Sequence, residues 1–205
     1  MKLYYSDIRG ADEARALYPP LSGSPGSAFG ASLLAAAYAD YVGSGALPLL
    51  KRLLGGKPIF GDDPNLHFSI SHSRTHVFCA LSRHPVGVDT QEHRQLRPGT
   101  VEKLCTPQEL SGLDFFEIWT LRESFFKLRG SGDLRTLRFY RQEGRLVPPE
   151  DGVFCHLYSD IEGSSTAVCS ESDSFPSRLI KIPIEQLLKK PEKQPRTIIN
   201  IKKTI

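Results

Sequence analysis

One stretch limits the folds open to this chain more than any other. It runs from about Asp114 to Arg129, and its centre reads Ile118-Trp119-Thr120-Leu121-Arg122-Glu123-Ser124-Phe125-Phe126-Lys127. At a helical advance per residue, Ile118, Leu121, Phe125 and Leu128 form one stripe, and Phe115, Trp119 and Phe126 fill the neighbouring sector. A helix this apolar must be covered on most of its sides. Yet Glu123 and Lys127 stand at i and i+4 and project from one side. A buried helix seldom carries two charges without a partner or a task. Read alone, the pair also fits a surface ion pair worth roughly 0.3–0.5 kcal/mol.

The rest of the chain supplies what such a helix could pack against. Ala28 to Val42 is a second strong helix former, with Phe29, Leu33, Leu34, Ala37 and Tyr41 at helical spacing and Gly43 as a stop. Leu66 to Ser71 alternates as a half-buried strand should, Thr75 to Ser82 follows as a partner, and Val86 to Asp89 reads as a third short strand. Together these three suggest an antiparallel meander. Thr106-Pro107-Gln108-Glu109 carries the signature of a capped helix start. Beyond Gly130, strand-like runs cover Leu137 to Gln142, Arg145 to Val147, Val153 to Asp160 and Thr166 to Ser170. Helix then strands, twice over, predicts an α+β fold of two similar halves, each a helix on a small antiparallel sheet. The expected division is 1–100, 101–188 and a basic tail at 189–205 that reads as a solvated extension.

Composition excludes several classes. With 40% hydrophobic and 24% charged residues, the 205-residue chain has an ordinary globular profile. It holds no apolar run near the length of a membrane span and no apolar leader at Met1, so a cytoplasmic protein with no membrane partner is expected. The tail has six basic residues against Glu192, a net +5, which leaves −2 for the body of a chain whose total is +3. The body thus presents no global basic field for nucleic acid. The four cysteines show no Cys-x-x-Cys spacing, and Cys79, Cys155 and Cys169 lie in strand-like runs as small buried hydrophobes would.

Three segments bring polar groups where a core element would bury apolar ones. Ser69-Ile70-Ser71-His72-Ser73 ends a strand with hydroxyls, an imidazole and backbone N–H groups, a set suited to an anion or to a plain polar turn. Gly87-Val88-Asp89-Thr90-Gln91 places Asp89 and Gln91 on one side of a strand, which suits Mg²⁺ or an Asx-turn. Glu123 and Lys127 add a carboxylate that can hold a metal or take a proton and an ammonium that can face phosphate. Together they describe a site for Mg²⁺ and a polyphosphate. The chain has neither a Walker A sequence nor G-x-G-x-x-G.

With these residues in order, the chain resembles the 4′-phosphopantetheinyl transferases, in particular the single-chain, two-half type that activates surfactin synthetase. The resemblance rests on Gly56-Lys57-Pro58-x-Phe60, Phe68-Ser69-Ile70-Ser71-His72-Ser73, Val86-Gly87-Val88-Asp89 and Trp119-x-x-x-Glu123-Ser124-x-x-Lys127. It implies two α+β halves with the active site at their junction, and a monomer. It also implies Mg²⁺-dependent transfer of the phosphopantetheine arm of coenzyme A to a serine of an acyl or peptidyl carrier protein, as in a holo-acyl-carrier-protein synthase. By the same resemblance, Asp89, Glu123 and Gln91 would be metal ligands, and Asp89, Glu123 and Lys127 the catalytic set. Lys57, Pro58, Ser71, His72 and Lys127 would bind coenzyme A. Two positions and one stretch depart from the family pattern. Gln91 replaces the usual second acid of Asp-x-Glu, Arg122 stands where Lys usually precedes the glutamate, and residues 16–50 contain no Lys or Arg where a basic cluster is usual. The departures keep open an alternative, a relative that binds carrier protein or coenzyme A with weak transfer or none.

Overall fold

In a computed structural model, the structure describes residues 1–22, 26–43, 46–52 and 56–188, with the backbone of Lys202 and Lys203. Most of the expected basic tail, 189–201 and 204–205, lies outside these residues. In chain order the elements are β1 (Lys2–Asp7), α1 (Ser27–Val42), β2 (Leu50–Arg52), β3 (Pro58–Phe60), β4 (His67–His72), β5 (His76–Ser82) and β6 (Val86–Glu92). Then follow α2 (Thr100–Leu104), α3 (Pro107–Leu110), α4 (Phe115–Arg129), β7 (Tyr140–Gln142), β8 (Arg145–Val147), β9 (Phe154–Tyr158) and β10 (Ser164–Ser170). The last are β11 (Ile180–Lys181), α5 (Ile184–Leu188) and β12 (Lys202–Lys203).

The two long helices form for different local reasons. α1 is rich in alanine and starts at Gly26, whose φ of +82° offers no side-chain cap. The Glu13 carboxylate supplies the cap from outside, accepting from the Gly26 N–H at 2.8 Å and the Ala28 N–H at 2.9 Å. α4 caps itself: Asp114 accepts from the Glu117 N–H, and the Glu117 side chain answers at the Asp114 N–H. It ends at Gly130, whose φ of +74° lets its N–H return to the Phe126 carbonyl at 2.7 Å.

Each helix lies on its own sheet. The first sheet has the order β11-β1-β5-β4, with β11 parallel to β1 and the other pairs antiparallel. α1 covers it, and Phe29, Leu33 and Leu34 pack with Tyr4, Phe68, Val77, Cys79 and Leu81. The second sheet is antiparallel, in the order β6-β10-β9, and α4 covers it through Ile118, Leu121, Phe125 and Leu128. A third apolar cluster, Leu3, Phe78, Ala80, Val86, Val88, Tyr158 and Val168, draws on strands of both sheets and joins them. Small ladders, β2-β3 with β12 beside β2 and the β7-β8 hairpin, complete the α+β fold.

The expected three-stranded meander is corrected here. β4 and β5 pair, but β6 leaves them and pairs along its whole length with β10, from Val86↔Ser170 to Glu92↔Ser164. This pairing buries Val86 and Val88 with Tyr158 and Val168, and Gly87 clears room for α4 above them. A Cβ there would lie 1.9 Å from the Ser124 carbonyl oxygen and 2.5 Å from the Leu128 nitrogen. Only glycine lets α4 settle so closely on β6. The expected strand at Leu137 to Gln142 is also shorter, because only Tyr140–Gln142 pairs. Among the described residues, no helix is long and apolar enough to cross a membrane.

Candidate active site

The site grows from the seam between the two sheets. β4 and β6 run side by side without a backbone ladder, and serine hydroxyls take its place. Ser69 Oγ accepts from the Val88 N–H at 3.0 Å, and Ser71 Oγ accepts from the Thr90 N–H at 3.2 Å. Ser71 then donates its own proton to Asp89 Oδ1 at 2.7 Å. Hydroxyls expected to face an anion are therefore spent largely on stitching the sheets and fixing one carboxylate.

Asp89 is only 3% exposed and is the centre of this geometry. Besides Ser71, the Lys127 ammonium donates to Oδ1 at 2.6 Å, and the Gln91 amide donates to Oδ2 at 3.2 Å. Lys127 thus reaches across from α4 to β6, and the ion pair it makes is with Asp89. Among the described residues, no ion pair joins Lys127 to Glu123, so the simple i,i+4 pair open from the sequence does not form. Glu123 stands one turn back on α4, half-buried. Burial first, and then the like charge of Asp89, push its carboxyl above the usual glutamate range, while Lys127 pulls the other way.

A cleft of about 390 Å³ opens on the Lys127 side of Asp89. Lys57, Pro58, Ser71, His72, Asp89 and Lys127 all line it, so six of the eight residues expected at the site share one cavity. Gln91 opens instead on a second groove, of about 420 Å³, with Arg94, Arg97, Phe116 and Trp119. Glu123 lines neither wall. It reaches the site through its electrostatic coupling to Asp89 and Lys127.

The cations of the cleft differ in what they already hold. Lys57 donates to the Val86 and Leu128 carbonyls at 3.2 and 3.3 Å, bridging β6 to the end of α4. Burial, helped by the Arg129 charge, lowers it to about 8. Arg52 donates to the Gly56 carbonyl at 2.7 Å and to the Leu21 carbonyl. Burial lowers the His72 imidazole, and the Lys127 charge adds to the shift. Leu21, Ser27 and Phe126 also line the cleft, and nothing in their spacing marked them.

Arg122 plays a part the sequence did not signal. It points away from the cleft, fully buried, and donates to Glu109 Oε1 and to the Leu104 carbonyl, each at 2.7 Å. Glu109, equally buried, also closes the Thr106 capping box. The residue that stood as a departure from the family lysine is thus a structural tie between α4 and α3.

Two carboxylates of like charge, one of them raised by the other, form a donor set that a cation would relieve. Asp89, Glu123 and the Gln91 amide oxygen fit Mg²⁺, which needs only one or two carboxylates when substrate phosphates complete its shell. Among the described residues, no cluster of three or more His, Cys, Asp and Glu residues could hold a metal on its own.

Comparison with known proteins bears on about two thirds of the chain. The model of the 4′-phosphopantetheinyl transferase superfamily matches residues 85–169, from the start of β6 to the end of β10. The 4′-phosphopantetheinyl transferase ffp of Bacillus subtilis is 32% identical over 152 residues, covering 65% of this chain and 67% of the relative. Sfp of Bacillus subtilis strain 168 is 29% identical over 152 residues, with 65% of this chain and 67% of the relative covered. The gsp transferase of Aneurinibacillus migulanus is 37% identical over 87 residues, 38% of this chain and 36% of its own. The family model thus spans the second sheet and α4, which carry Asp89, Glu123 and Lys127. The chain belongs to the 4′-phosphopantetheinyl transferase superfamily.

Proposed function

We propose that this protein transfers the 4′-phosphopantetheine arm of coenzyme A to a serine hydroxyl of an apo acyl or peptidyl carrier protein, with Mg²⁺ as the cofactor. The observation that carries the reading is Asp89, held nearly buried by Ser71, Gln91 and Lys127, beside a half-buried glutamate whose proton affinity is raised. Asp89, Glu123 and Gln91 would hold the metal, which would neutralise the pyrophosphate and polarise the phosphorus under attack.

The chain's own residues supply the other parts. Glu123 takes the proton of the carrier serine, directly or through a water, as its oxygen bonds to the phosphorus of the arm. A carboxyl raised toward neutrality suits that task better than an ordinary one. Lys127 already sits at the seam, and when pyrophosphate enters, its ammonium can turn from Asp89 to the oxygens that gain charge as the P–O bond breaks. The products are the phosphopantetheinylated serine and adenosine 3′,5′-bisphosphate. Lys57, Pro58 and His72 line the wall where coenzyme A would lie. A monomer suffices for this site, because both sheets and both helices come from one chain.

A second reading, binding of carrier or coenzyme A without transfer, is favoured by one observation: the neutral Gln91 amide donates to Asp89 instead of adding a carboxylate. Incubation with apo carrier proteins, coenzyme A and Mg²⁺, followed by intact mass measurement of each carrier, separates the two. Gain of the arm on one carrier supports transfer. Binding by calorimetry with no mass gain across a panel supports the second reading.

A further inference from the structure

Beneath α4, on the side away from the cleft, two thiols meet. Cys155 on β9 stands directly opposite Cys169 on β10, and their sulfurs are 2.8 Å apart. Residues paired in this way have Cα atoms about 4.5–5.5 Å apart, inside the range of about 4.4–6.8 Å that a disulfide spans. The bond can therefore form without moving either strand. Cys169 is fully buried, and its sulfur lies 3.0 Å from Ser124 Oγ on α4. Cys155 is only partly covered, because β9 is the edge strand of its sheet.

We propose that Cys155 and Cys169 form a dithiol site that reacts with a two-electron oxidant of the peroxide class, independent of the transfer reaction. Cys155, the accessible partner, reacts first. Its sulfur attacks one peroxide oxygen, the O–O bond breaks, one water leaves, and a sulfenic acid remains. The Cys169 sulfur then attacks Sγ of Cys155, the S–S bond forms, the S–O bond breaks, and a second water leaves. Both thiol protons end in the two waters. Two thiols are oxidised, and one peroxide is reduced. The bonded neighbour and burial push the Cys155 thiol up, so the first step speeds up as pH rises. The product staples the edge strand β9 to β10 and draws Cys169 off Ser124, the residue that follows Glu123.

Intact protein is treated with hydrogen peroxide, remaining thiols are alkylated with iodoacetamide, and peptides are mapped by mass spectrometry without reduction. The expected result is a peptide joining 155 to 169, a mass loss of about 2 Da that dithiothreitol reverses, and a melting temperature higher by about 5 °C. Cys155→Ser and Cys169→Ala should each abolish the joined peptide. The proposal is overturned by sulfinic acid on Cys155 with no link, by a link to Cys79, Cys105 or a second molecule, or by two thiols that stay alkylatable throughout.

Discussion

Glu109 and Glu123 belong to the same helical layer and end in opposite electrostatic states. Burial would raise both. At Glu109 that effect is overcome by the Thr106 N–H and the Arg122 guanidinium, which hold the carboxyl below the usual range. At Glu123 no donor is close enough to overcome it, and the Asp89 charge adds to it. Glu109 is a finished contact, completely buried with its cation. Glu123 has no such tie and feels its neighbours Asp89 and Lys127 only through their charge. Neighbouring positions of one helix, Arg122 and Glu123, thus differ: the first is tied into the fold, and the second is the one proposed for chemistry.

The contrast can be broken from its functional side first. Glu123→Gln should lower carrier labelling by about 10³-fold, the range of a lost general base. Its melting temperature should be unchanged or higher, since the variant removes a charge the fold disfavours. Unchanged labelling would return Glu123 to the class of Glu109.

On the structural side, Arg122→Met leaves buried Glu109 only the more distant Arg138 guanidinium, at 3.9 Å, and stability should fall by about 3 kcal/mol. Thermal unfolding should show a drop of about 10 °C, with labelling per folded molecule nearly kept. The double variant Glu109→Leu with Arg122→Met should recover most of that loss. A single variant that melts like the wild type would end the comparison.

Lys127→Met should cost about 10²-fold in labelling, as the loss of one charge-stabilising donor does. Asp89 keeps Ser71 and Gln91, so the fold should hold within about 1 kcal/mol. A large fall in melting temperature would instead place Lys127 with Arg122.

The pH dependence sharpens the same division. Because folding lowers Glu109, its contribution is present above the ordinary value of 4.5 and is lost as pH falls through the lowered one. Glu123 has the opposite sign: the folded state holds its proton more tightly, so stability falls as pH rises from 4.5 through its raised value. Denaturant titrations should show a weaker acid limb in the double variant and a flatter slope above 4.5 in Glu123→Gln. The smallest effect is expected at Lys57. Its lowered value means that stability rises between about 8 and 10.5, a rise that Lys57→Met should remove.

Local signals account for what the sequence disclosed. α4 follows from its apolar period and its Asp114 to Gly130 frame, and the β4-β5 pair follows from alternation at Leu66 to Ser71. Asp89 and Lys127, the residues singled out as a metal ligand and a phosphate contact, do come together at one cleft. What stayed hidden depends on distant partners. No local pattern assigns β6 to β10, because the pairing joins strands far apart in the chain and buries Val86 and Val88 with Val168. The role of Arg122 depends on Glu109, a helix away, and the contact of Cys155 with Cys169 depends on register. The serines of β4 carried a polar signal that spacing could not divide between an anion and a seam.

The path of the chain also governs how this protein comes apart. It builds β1, α1, β4 and β5, crosses at Ser82–Val86 to build the second sheet, and then returns with β11 beside β1 and with α5, where Leu187 accepts from Leu17. No single cut yields two complete sheets. The two layers should therefore melt as one cooperative unit, and a protease nick at the crossover should leave fragments that stay associated until denatured. A circular permutant opened at that turn, with Leu188 linked to Met1, would make each layer contiguous in sequence for the first time.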